Sequence, residues 1–294
     1  MNRSKIDILA LALFLPLLIT TNVFAKSAVW KVSKEGDYFY LGGTFHILSA
    51  ADHPLPEEFA QAYADASEII FESDIKAASS PEFGQKMMGS MMFSDERTLA
   101  SELKPETYSQ LEAFMAERQM PIEAFAQFQP WGVSLILVMQ EYAALGMTPE
   151  YGVETYFDQL ATQDEKAVES LETVDQQLEF LSSLAQIDPD MNVNYTLRDL
   201  DKAAGYIKDL KAGWRTGDLA LLENNESVVQ MKEEYPVIYE TLLVTRNENW
   251  MKQLVTLFDD NAIEIVLVGA LHLVGEDGLI NQLRLQGFDV EQLD

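Results

Sequence analysis

The sequence predicts a mixed α/β fold, with a parallel-biased central sheet, flanking helices and a large helical insertion over about residues 76–165. Three observations carry this. Short apolar runs, IIF at 69–71 and IVLV at 265–268, have the length and β-branched content of buried strands. Stretches with helical spacing separate such runs, and strand–helix–strand order favours parallel pairing. The segment 76–165 carries helical patterns with no strand signal between them.

Taken in order, AVWKVSKEGDYFYL (28–41) reads as a hairpin turning at Lys34-Glu35-Gly36-Asp37. PLPEEFAQAYADAS follows with prolines near its start and Phe59, Ala60, Tyr63 and Ala66 at helical spacing. EIIFES is then a short buried strand ending at Glu72. SSPEFGQKMMGSMMF holds four methionines, and its segment 81–93 reads as a helix or loop packing on apolar surface, or as a lid. KPETYSQLEAFMAERQMP is an amphipathic helix stopping before Pro121, WGVSLILVMQEYAALGM a buried helix, and YGVETYFDQLATQD another helix. Lys166 to Leu171 reads as a second buried strand, VDQQLEFLSSLAQ as a helix, and 192–258 as three or four more, broken at Gly213, Gly217 and Pro236. The last section is strand, turn, helix, strand.

Composition bounds the function. Residues 1–25 read as a secretory signal peptide: a basic start, a short apolar stretch and a Val23-Phe24-Ala25 cleavage site. Cleavage after Ala25 would leave 26–294 as a single domain, periplasmic or secreted, with no stable membrane insertion. The net charge of −28 repels phosphate backbones, which excludes nucleic acid as a partner. With no cysteine, the exported chain has neither disulfides nor a thiol nucleophile, and its core must suffice.

The informative feature is a phrase written twice, LGGTFHIL and LVGALHLV. In each, an apolar run meets a glycine and a histidine follows three residues later. These phrases use His46 and His272, two of the three histidines in the chain. At a glycine usage of about 7%, that coincidence arises in roughly 1–2% of chains. Ligands of such sheets sit outside the carboxyl ends of the strands, where both phrases fall. Glu72 and Glu172 leave their strands in the same way, so His46, Glu72, Glu172 and His272 are expected to converge. Two imidazoles and a carboxylate can hold a divalent ion that lowers the pKa of a water. Without an ion they can act as a His/Glu acid–base pair. Buttressing of loops by satisfied histidines is the bland alternative. His53, in ADHPLP, reads as a solvated loop residue.

Beyond these phrases, PLPEEFAQA, IIFES, VESLETVDQQLEFL, WRTGDL and TRNENW complete an ordered set that resembles the TraB/GumN group, related to the TIKI metalloproteases. The likeness covers nearly all of the chain after the leader. It implies a paired-GxxH site with a glutamate and an arginine, and a peptidase-like activity dependent on a divalent metal ion such as manganese, cobalt or zinc. His46, Glu72 and His272 would be the metal ligands, Glu172 a further ligand or acid–base group, and Arg246 a stabiliser of negative charge. Gly43, Thr44 and Gly269 would shape the loops. Read from its own surroundings, Arg246 could equally be a helix-surface ion-pair partner, and Trp250 is core. The substrate would be a peptide or small molecule. The alternatives are a metal-independent His/Glu esterase and a non-catalytic module binding a peptide or haem.

Overall fold

A computed structural model of the chain describes residues 26–258 and 262–294. The signal-peptide reading of 1–25 lies outside the described residues. Six strands form one mixed sheet: β1 (Val29–Lys34), β2 (Asp37–Thr44), β3 (Glu68–Ser73), β4 (Ala167–Glu172), β5 (Glu264–Gly269) and β6 (Asp289–Gln292), in the order β4-β3-β5-β2-β1-β6. β4, β3, β5 and β2 run parallel, while β1 is antiparallel to both β2 and β6. The expected architecture of a parallel-biased sheet with flanking helices is therefore present. Among the described residues, no helix is long and apolar enough to cross a membrane.

Local chemistry explains the elements. The β1–β2 hairpin turns through Glu35 and Gly36, whose φ values of 54° and 98° give the mirror-image turn that matches strand twist. β5 is apolar from Ile265 to Val268, as suits a central strand buried on both faces, and each of these residues is fully buried. The helix Glu57–Asp65 presents Phe59, Ala62 and Tyr63, continued by Ala66 at its end, in i, i+3, i+4, i+7 spacing; Ala60, expected on that face, is exposed. These side chains join Trp30, Phe39, Phe71, Phe157, Trp214 and Trp250 in the core beside the sheet.

Several expectations need correction. β4 is an edge strand exposed from Ala167 to Glu169, and only Leu171 and Glu172 are buried, because it has a single neighbour. The helix Pro130–Ala144 is buried only in its first half, and Met139 and Leu145 reach solvent. Gly213 does not break a helix: Ala203–Thr216 runs through it and ends at Gly217 in the left-handed region. Even so, the described part of 192–258 carries more helices than the three or four expected, because short helices at Leu219–Glu223 and Pro236–Tyr239 add to the longer ones. The helical part is also not confined to 76–165. Its own core of Leu99, Leu111, Met115, Val133 and Leu137 is closed by Val193 and Leu200 of the later helix Pro189–Leu200. A buried Ser134 hydroxyl hydrogen-bonded to the Asn192 Oδ1 joins the two segments at 2.7 Å.

Candidate functional site

The parallel strands deliver their carboxyl ends to one edge of the sheet. Thr44 of β2 pairs with Gly269 of β5, so His46 and His272 leave adjacent strands two and three residues further on. The two phrases are one residue out of register, since Gly43 faces Val268. Glu72 and Glu172 leave β3 and β4, where Ser73 pairs with Glu172. The sheet thus gathers all four expected groups, and Arg246 joins them from the helix Thr245–Leu254.

Arg246 is the hub. Its Nε donates to both oxygens of Glu172 at 3.0 and 3.2 Å. Nη2 donates to Glu72 at 2.6 Å and to Glu172 at 3.0 Å. Nη1 lies 3.2 Å from His272 Nε2 and 3.5 Å from the Leu242 carbonyl. Arg246 is buried, so it is not the surface ion-pair partner that its helical context allowed. A π turn, Glu240–Val244, runs directly into this helix. Trp250, one turn on, donates its indole N–H to Glu172 at 2.9 Å and lies against the His272 ring.

Electrostatics divides the two glutamates. Burial opposes the charge on Glu72, but Arg246 and the Gly269 N–H, 2.5 Å away, outweigh it and hold the carboxyl well below the usual range. For Glu172 burial dominates, and its pKa is raised despite Arg246. His272 is driven by burial down to about 3 and is neutral. Its Nδ1 meets the Asn247 Oδ1 at 2.7 Å, which assigns the proton to Nδ1 and leaves the Nε2 lone pair facing Arg246.

His46 differs. Its side chain is 56% exposed, deep in the protein mass yet open to a cavity. Nδ1 lies 2.8 Å from the buried carboxylate of Glu154, which also accepts a hydrogen bond from the Thr44 hydroxyl. The charge of Glu154 raises the imidazole to about 9 against the opposing pull of burial. Nε2 points toward Glu72, 3.9 Å away. Gly152 makes this contact possible. A Cβ there would stand 2.2 Å from the His46 carbonyl oxygen, so only glycine lets the helix Val153–Asp164 dock against the end of β2. Glu154 was not foreseen; the only trace in the sequence is a carboxylate one residue after Gly152-Val153, on a helix otherwise buried by Val153 and Phe157.

His46, Glu72, Arg246 and His272 line a cavity of about 460 Å³, walled mainly by apolar side chains including Phe45, Phe180, Leu210 and Leu242. None of the four methionines of 81–93 lines it, and Met147 does. His53, expected in solvent, is half-buried and bonded through Nε2 to the Tyr151 carbonyl oxygen at 2.9 Å.

A polar cluster at the carboxyl edge of a parallel sheet, roofed by an apolar cavity, places the molecule among α/β proteins with a site at the strand ends. The chain belongs to the TraB/PrgY/gumN family, whose model matches residues 28–292. It is similar to the uncharacterized protein YbaP of Escherichia coli K12, at 24% identity over 84% of this chain and 88% of that protein. The YbaP of Shigella flexneri is likewise 24% identical, over 83% and 87%. No solved structure matches.

Proposed function

We propose that the protein is a hydrolase of ester or amide bonds in which His46 moves the proton. The supporting observation is the placement of His46 between Glu154 and the cavity. Glu154 accepts the Nδ1 proton and fixes the tautomer, so that Nε2 of the neutral ring faces the space above Glu72. In the reaction, water oxygen bonds to the carbonyl carbon while its proton passes to Nε2. The imidazolium so formed is stabilised by Glu154, as a carboxylate stabilises the imidazolium of a catalytic triad. The proton then goes to the departing oxygen or nitrogen as its bond to the carbonyl carbon breaks. Glu72, ionised and held by Arg246, lies beside the reacting position. Every nitrogen of Arg246 is engaged with protein acceptors, which supports a positioning role for it over contact with the substrate.

A second reading, a divalent metal enzyme using His46, Glu72 and His272, draws on a separate observation. The Nε2 atoms of both histidines face Glu72, at 3.9 and 3.8 Å, and the Nδ1 of each is tied to an oxygen, the outer-sphere pattern of ligating imidazoles. The donor chemistry suits manganese, cobalt or zinc. Against it, Arg246 donates to the same His272 lone pair, and among the described residues no three such side chains stand close enough to hold an ion. A bound ion would polarise the carbonyl and acidify the attacking water.

The two readings part on one experiment. Protein without its leader is tested on p-nitrophenyl esters and peptide anilides, with metal content measured in wild type, His46→Ala and His272→Ala. Turnover that survives chelation and is lost in His46→Ala supports the first. Stoichiometric metal lost in both variants, with chelator-sensitive turnover, supports the second. Absence of turnover under all conditions removes both in favour of a binding module.

A further inference from the structure

The cavity's walls point to the substrate. Thr44, Glu72, Arg246 and His272, all lining the cavity, are each hydrogen-bonded or ion-paired within the protein. Gln177, also at the lining, accepts from the Ser73 hydroxyl at 3.1 Å. Apart from His46, the Tyr142 hydroxyl and the Gln177 amide nitrogen, what remains open to a ligand is apolar. Phe45, Phe180, Leu181, Leu210, Leu242 and Leu271 come from five separate stretches of chain and are only half-buried, although the surrounding core is closed. Among the described residues no lysine lines the space, and the arginine that does is spent on two glutamates. A carboxylate ligand would therefore meet Glu72 with only His46 to answer it.

We infer that the substrate is an uncharged ester or amide carrying a bulky apolar group, a medium-length alkyl or acyl chain, which fills this cavity while its carbonyl rests beside His46. The inference rests on the hydrolytic reading for the carbonyl alone; the apolar group follows from the walls. A space of this size holds about fifteen waters. Replacing waters that face leucine and phenylalanine by hydrocarbon is the favourable step. A polar group set against those leucines and phenylalanines would lose its hydration with nothing in return.

The test uses uncharged N-alkylacetamides from butyl to decyl, bound to protein without its leader and followed by calorimetry. The dissociation constant is expected to fall about threefold to fourfold per added methylene until the cavity is full, with a negative heat-capacity change. Leu210→Gln and, independently, Leu242→Gln are expected to flatten the series while circular dichroism stays native. If either variant unfolds, octyl- against ethyl-amide competition for hydrolysis of a short p-nitrophenyl ester by wild type gives the same comparison. Affinity independent of chain length, or a series unchanged in both folded variants, overturns the inference even if short esters are hydrolysed. Chain-dependent binding without turnover of any ester removes the hydrolytic reading and leaves the apolar pocket standing.

Discussion

Gly269 has an ordinary φ of −51°, so its lack of a side chain answers to space and not to backbone conformation. A Cβ there would lie 3.2 Å from Glu72 Oε1, 3.5 Å from the His272 ring and 3.6 Å from His46 Nε2, at the point where the site converges. Gly269→Ala is expected to lower kcat/KM about a hundredfold while thermal unfolding shifts stability by no more than about 1 kcal/mol. A silent substitution would show that nothing reacts in that hollow. His46 offers a second check. As a base it works when neutral, so activity should rise with pH through about 9. Glu154→Gln removes the charge that raises the pKa, and the midpoint of the pH–rate profile should move down toward the ordinary histidine value. His46, Glu72, Glu172 and His272 were legible because apolar strands end beside them. Glu154 was not, since its role depends on where a helix docks, and a lone acid in a first helical turn ordinarily serves the dipole.

At the scale of elements, the helix Thr245–Leu254 acts as a clasp. Arg246 and Trp250 share a face four residues apart and together satisfy Glu172, while Asn247 orients His272 and donates to its carbonyl at 3.0 Å. Removing the arginine leaves two buried carboxylates without their cation. Arg246→Ala should cost about 3–5 kcal/mol in urea unfolding, and Arg246→Lys, a point charge without the fork, should recover only part of it. Equal stability of Ala and wild type would refute the clasp. The strands, the hairpin and the final strand–turn–helix–strand could be read from periodicity because each repeats a local signal. The extent of burial could not. The helix Pro130–Ala144 is as apolar as a buried element, yet it ends at the surface, and β4, read as buried, is an edge. Position in the sheet decides that, and no window of sequence contains it.

For the whole molecule, Glu72 and His46 link stability to pH in opposite directions. Glu72 has a folded pKa below its unfolded one, so its contribution is complete above the normal carboxylate range and is lost as the pH falls through that range toward the folded value. His46 is raised, so its contribution is complete below the normal histidine pKa and is lost as the pH climbs toward about 9. Urea midpoints should therefore decline on both sides of a plateau. Glu72→Gln should soften the decline between about pH 5 and about pH 3, and Glu154→Gln the alkaline one. A wild-type midpoint that is level on the alkaline side would contradict the His46–Glu154 pairing. The helical part depends on the same long reach, because Val193 and Leu200 close a core begun at Leu99.

β5 occupies the middle of the sheet but is drawn from residues 264–269 of 294. A ribosome will have released β1 to β4 before β2 and β3 gain the neighbour that separates them. Until then, both leave unsatisfied amide edges that invite pairing with other chains. Such a keystone, made after both of the strands it joins, leaves those two edges open in the nascent chain.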